Sequence, residues 1–236
     1  MLGSEAADEP ADAARPRRGR PRGQPGAPVQ RKRHEQISIG DSVNFAEALN
    51  FSRTLRMTPN TWVTVQWKYA ESPRPPAERL QRLLNLIGVF LRRRAGVPPV
   101  WAYVREVGRM KAEHLHLLVY VPPHLRSELT RNLRGWLVKE AMDCHGDYRE
   151  RALDVQPITN SDLADPEPDL TDLKRYCLKE GTDDVRRDFW VPATERYRRT
   201  GGTVEGKRMK VSHAIGRRAR DLHMAALAAE SAQEGR

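Results

Sequence analysis

The chain has 236 residues, with 41 Lys plus Arg against 31 Asp plus Glu, for a formal net charge of +10. That length suffices for one domain with a core plus appendages, and the basic balance favours polyanionic partners such as nucleic acid without identifying one. Two cysteines, Cys144 and Cys177, exclude a disulfide framework and a four-cysteine zinc site and suit a reducing cytoplasm. No stretch approaches the roughly 18 apolar residues of a membrane span, and the first residues lack a signal-peptide pattern, so a cytoplasmic protein without a membrane partner is expected.

Residues 1–36 are rich in Pro, Gly, Ala and Arg and hold almost no aliphatic side chains, a composition that cannot bury a core, so this segment reads as a disordered basic tail. From Arg15 to Arg33 it carries eight basic residues and no acidic one. Its centre, Arg18-Gly19-Arg20-Pro21, resembles the core of an AT-hook, in which Arg18 and Arg20 would enter the minor groove of A·T-rich DNA. A solvated basic arm that adds non-specific affinity is an equal reading.

Loose helical spacing from Ser38 to Met57 gives way to strict alternation over Thr61–Lys68. Val63, Val65 and Trp67 take one face of that strand; Trp62, Thr64, Gln66 and Lys68 take the other. Leu80, Leu83, Leu84, Ile87 and Leu91 recur at helical spacing until Gly96 and Pro98 stop the helix. Val100–Glu106 and Glu113–Val121 pair as a hairpin across the turn Gly108–Ala112, a helix follows over Leu125–Met142, and Arg151–Ile158 makes a further strand. A last core helix is expected near Asp169–Glu180. The order suggests an α+β fold with an antiparallel sheet and helices mainly on one face, the other face being left for a ligand.

Within Glu113–Val121, alternation puts His114 and His116 on the face opposite Leu115, Leu117, Val119 and Val121. With four aliphatics marking the core side, two imidazoles are presented together for a cation. A hairpin symmetric about Met110 sets Glu106 directly across from His114, and a carboxylate then completes a three-ligand set for a metal that polarises a phosphodiester. A one-residue slip would remove Glu106 from that face. On the later helix, Tyr176 and Lys179 share one face while Leu170, Leu173 and Cys177 form the buried stripe. A phenol is a weak nucleophile that needs an activated phosphate and a nearby cation, which Lys179 can supply.

Glu106, His114-Leu115-His116 and Tyr176-Cys177-Leu178-Lys179 resemble, in order and spacing, motifs of the HUH endonucleases, particularly rolling-circle replication initiators, and Thr61–Lys68 resembles a further one. The likeness spans roughly Thr61 to Glu180. It implies a five-stranded antiparallel sheet of RRM-like topology, of which the residues themselves give four strands. It also implies Mg²⁺ or Mn²⁺ on Glu106, His114 and His116, attack by Tyr176 on the scissile phosphate, and Lys179 as its neutralising partner. The products would be a 5′-phosphotyrosine and a free 3′-hydroxyl. Glu180 stands where a second tyrosine would sit, so the resemblance is to a single-tyrosine enzyme, with Glu180 or Asp172 as candidate water activators.

The expected organisation is a tail (1–36), an endonuclease domain (37–182) and a basic loop with a C-terminal helix packed on it (183–236). Basic residues mixed with aromatics suit single-stranded DNA. Lys68, Arg186, Arg187, Trp190, Arg198, Arg199, Lys207 and Arg208 are therefore the candidate DNA contacts, alongside Arg18 and Arg20. An equal reading has Phe189 and Trp190 anchoring the loop to the core. The expected partner is single-stranded DNA at an origin or element end, with a host helicase as a further partner because the chain has no P-loop motif. An HUH transposase or relaxase would use the same residues, and a non-catalytic RRM-like nucleic-acid binder is the alternative of a different class.

Overall fold

A two-residue strand, β1 (Arg33–His34), precedes helix α1 (Ile39–Thr54), whose N-cap Ser38 accepts a hydrogen bond from the Asp41 amide. The computed structural model describes residues 32–108, 112–159, 170–199 and 201–234. The expectations for residues 1–31 of the tail, including Arg18 and Arg20, and for the 162–168 loop lie outside those residues, whereas Arg33–His34, expected to be disordered, form β1 because they pair with Val204–Glu205. Strand β2 (Thr61–Gln66) keeps the alternation read from the sequence, with Thr61, Val63 and Val65 buried and Trp62, Thr64 and Gln66 half-buried. It ends in a single 3₁₀ turn at Trp67–Tyr69.

Helix α2 (Pro76–Ala95) begins on a proline, whose fixed φ suits the first turn, and stops at Gly96 in the left-handed conformation (φ 66°). Strands β3 (Trp101–Gly108) and β4 (Ala112–Val119) form the expected hairpin. Helix α3 (Arg126–Asp143), strand β5 (Leu153–Pro157) and helix α4 (Thr171–Cys177) follow, the last tightening into a 3₁₀ turn over Leu178–Glu180. The chain continues through α5 (Asp183–Asp188), β6 (Val204–Glu205), β7 (Met209–Val211) and α6 (Arg217–Glu234).

The main sheet has the order β5-β2-β4-β3-β7 with every neighbouring pair antiparallel, and β1 pairs with β6 in a separate two-stranded ribbon. The architecture is thus α+β with a five-stranded antiparallel sheet and six helices among the described residues. The fifth strand, β7, lies in the segment expected to be loop. Three residues are too short to show a period, and only pairing with β3 makes them a strand.

Helices cover both faces, which corrects the expectation of helices mainly on one. On the first face, α2 and α3 bury Leu80, Leu84, Ile87, Leu129 and Leu133 against Val63, Val65, Leu115 and Leu117. On the second, Phe45 and Leu49 of α1 and Cys177 and Leu178 of the α4 segment pack on Ala102, Val104, Leu118, Met209 and Val211. Each such side chain taken from water contributes roughly 1.5–3 kcal/mol before chain entropy is subtracted. The second core is densest over β3, β4 and β7 and thins towards β2 and β5, where Trp62 packs at its margin, Thr64 is half-buried, and Asp154 and Gln156 are exposed.

Candidate active site

The β3–β4 register pairs Glu106 with His114 and Val104 with His116, the frame in which a carboxylate and two imidazoles share one sheet face. Glu106 Oε2 lies 3.3 Å from His114 Nε2 and 3.6 Å from His116 Nε2. One ligand atom from each residue falls within 4.8 Å of the others, and all three side chains are buried. Glu106 is fully inaccessible, and neither its Oε1 nor His116 Nε2 has a hydrogen-bond partner. Buried polar atoms left open in this way are costly unless something fills the space between them.

The outer ring nitrogens fix how the imidazoles present themselves. His114 Nδ1 lies 3.4 Å from the Ala112 carbonyl, which can only accept; in the neutral tautomer that donates to it, Nε2 turns its lone pair to the centre. His116 Nδ1 lies 3.2 Å from Thr64 Oγ1, which also accepts from Trp62 Nε1 at 3.0 Å. With Nδ1–H donating to Thr64, His116 Nε2 likewise turns its lone pair to the centre, as ligation requires. Carboxylate oxygen and two oriented imidazole nitrogens therefore fit a divalent cation.

Lys179 occupies the same space from the helix side. Its Nζ lies 2.8 Å from Glu106 Oε2, as an ion pair without hydrogen-bond geometry, and 3.7 Å from the centre of the Tyr176 ring. Burial raises the Glu106 carboxyl, but the two imidazoles and the Lys179 ammonium outweigh it and hold the group below the usual carboxylate range. Burial likewise works against the Lys179 charge, and Glu106 more than offsets it, so this lysine titrates above its ordinary value.

Tyr176 stands beside this cluster, its ring 5.3 Å from His116 and nearly perpendicular, 5.9 Å from Trp62 and 6.4 Å from Tyr197. It is half-buried at the edge of a cleft of about 470 Å³ that His116 and Trp62 also line. Burial, followed by the Glu106 charge, raises its pKa above the ordinary phenol value, so the resting phenol is protonated. The five residues singled out in the sequence, from three separate elements, thus meet at one place.

The other candidates scatter. Glu180 is 1% exposed and faces Arg208 at 3.8 Å, away from the solvent that a water activator needs to reach. Asp172 is exposed on α4 and pairs with Arg175 at 3.7 Å. Arg208 is a buried strut rather than a DNA contact, donating to the carbonyls of Arg105, His34 and Gly202. Arg186 is a second strut, its guanidinium held by the carbonyls of Lys179 and Tyr197. Arg199 binds the Gly181 carbonyl and Asp183.

Arg187, Arg198 and Lys207 remain on the surface, where each pairs with an exposed or half-exposed carboxylate. Lys68 lies in the turn after β2, 4.6 Å over the Tyr69 ring. Trp190 is 79% exposed while Phe189 packs on the second core, which separates the two residues read together as anchors. Sequence reasoning passed over Thr64 as the orienting partner of His116. The alternation of β2 placed it on the right face, but the pairing of β2 with β4 was needed to set Thr64 opposite His116.

Fold and site together define an α+β protein with a buried carboxylate–imidazole cluster, suited to a metal ion, of which His116 lines a cleft beside a half-buried tyrosine. The chain matches no known family model and no curated protein sequence.

Proposed function

We propose that the chain is a single-tyrosine DNA-nicking enzyme of the HUH type, and that it opens a single strand at an origin or element end of a replicating mobile element. The observation that carries this reading is the convergence of the Glu106, His114 and His116 cluster with the Tyr176 ring 5.3 Å from His116. Convergence of a cation site with a nucleophile is what transesterification at phosphorus needs. The five-stranded antiparallel sheet supports an RRM-like arrangement, to which the hairpin and the tyrosine helix contribute as the resemblance implies.

The phenol oxygen of Tyr176 forms a bond to the scissile phosphorus as the bond to the 3′-oxygen breaks. The phenol proton leaves, the 3′-oxygen takes up a proton, and the 5′-phosphate stays on the tyrosine. Mg²⁺ or Mn²⁺ held by Glu106, His114 and His116 would draw charge from the phosphate oxygens, and two imidazole donors favour Mn²⁺. Lys179 holds its ammonium against the ring face and opposes the negative charge that develops on the phenol oxygen. Thr64 and Trp62 keep His116 in its orientation.

An RRM-like binder that stacks bases across its whole sheet face is less well supported, because α1 and α4 occupy that face over β3 and β7. Incubation with circular single-stranded DNA and Mn²⁺ is expected to give a denaturation-resistant protein–DNA adduct that Tyr176→Phe fails to form. An adduct that persists in Tyr176→Phe, or none with any strand tried, would sink the proposal.

A further inference from the structure

The part of the second sheet face over β2 and β5, bordered by α4, carries its own chemistry. In the β2–β5 register Trp62 pairs with Gln156 and Thr64 with Asp154, so these side chains stand on the same face as His116. The cleft above them runs from Tyr176 and His116 outwards to the edge strand, with Trp62, Ile158 and Leu173 as apolar walls and Arg196 at its rim. Its volume of about 470 Å³ lies in the range of pockets that enclose a small flat ligand.

Gln156 is exposed on the cleft wall, and its amide is steadied by one bond from Nε2 to Asp154 Oδ2 at 2.9 Å. That bond uses one N–H and leaves the second N–H and the carbonyl oxygen, a donor and an acceptor on a residue that lines the cleft, without a partner among the described residues. A planar ligand with apolar faces and a complementary acceptor and donor on one edge satisfies all of these groups together. An unpaired nucleobase is such a ligand, and adenine, through N7 and its 6-amino group, matches a glutamine amide best. A cation at the rim suits the phosphate that such a base carries.

We propose that this cleft is a base-recognition subsite that holds one unstacked base of the cut strand beside the scissile phosphate, with Gln156 reading its edge. The position of the base next to the cut rests on the nicking reading above; the binding of a base in the cleft does not. Sequence selectivity at one nucleotide is then set at the open β5 edge, while the buried β3–β4 hairpin is indifferent to sequence.

The test uses the full chain carrying Tyr176→Phe, so that no covalent step intervenes, and a library of single strands randomised over ten positions. Sequencing of the bound fraction is expected to show one position enriched in adenine. Gln156→Leu is expected to flatten that preference about tenfold while the overall affinity for mixed sequence changes little. Leu173→Ala is expected to weaken binding of the enriched sequence without altering which base is preferred, which separates the apolar wall from the reading group. A preference that survives Gln156→Leu, or binding with no preferred position, overturns the subsite. A selective binder whose wild-type form makes no adduct would retain the subsite and refute the nuclease, and an unselective protein that forms the adduct would do the reverse.

Discussion

Glu106 and Lys179 hold each other in place at the centre of the molecule. A carboxylate with no access to water is tolerated because an ammonium stands 2.8 Å away, and a divalent cation entering the cluster must compete with that ammonium for the same oxygen. A second buried titratable group, Tyr103, sits on the opposite face of the sheet, stacked on Trp101 with ring centres 5.8 Å apart. Burial, which favours the neutral phenol, pushes its pKa from 10.0 up to about 12. The unfolded chain therefore gives up this proton first, so stability is intact below pH 10 and falls as pH rises from there to about 12. Tyr103→Phe should flatten that limb, by about 3 kcal/mol across the window, in urea denaturation measured at successive pH values. Parallel curves for the two proteins would show that Tyr103 titrates normally.

At the scale of elements, α2 and α3 are joined by more than their leucines. Arg79 and Glu140 form an ion pair at 3.1 Å with both side chains buried, and the Arg79 guanidinium lies 4.7 Å over the Trp67 ring. Burial lowers the Arg79 pKa, yet Glu140 sustains its charge. Removing one partner strands the other in an apolar layer, so Glu140→Ala should cost about 3–5 kcal/mol of unfolding free energy, whereas the apolar double replacement Arg79→Met with Glu140→Leu should recover most of it. A loss below about 1 kcal/mol in the single variant would mean that the pair is solvated. The helical periods of α2 and α3 were legible in the sequence, but this pair was not, because residues 61 positions apart become neighbours only when two helices pack.

Over the described residues, the positive charge divides into struts bound to the backbone and cations on the surface. Arg186 and Arg208 spend their donors on backbone carbonyls, whereas Arg187, Arg198 and Lys207 keep theirs near solvent. Single-stranded DNA affinity should fall with rising salt. Each of Arg187→Ala, Arg198→Ala and Lys207→Ala should lower the log–log slope by about 0.7 if the residue meets a phosphate, with melting temperature unchanged. Arg208→Ala should instead lower thermal stability and leave the salt slope of the folded fraction as it was. An Arg208→Ala protein that is fully stable but binds with a shallower slope would return that arginine to the DNA contacts.

The sequence by itself determined the pieces that depend on near neighbours. The period of two in Thr61–Gln66 gave its buried face, alternation in Glu113–Val119 put both histidines on one face although packing buries both faces of that strand, and the symmetry of a short hairpin gave Glu106 opposite His114. The period near 3.6 in Pro76–Ala95 gave its apolar stripe, and the ordered spacing of Tyr176 and Lys179 marked a polar pair on one helix. Only the tertiary structure decided that β7 joins the sheet, that helices cover both faces, that Lys179 reaches Glu106, and that Arg208 lies inside. The physical reason is the range of the interaction. Periodicity records which way each side chain points from its own backbone. What it meets there depends on long-range strand pairing and on the helix packed above it, and neither leaves a periodic trace in the chain.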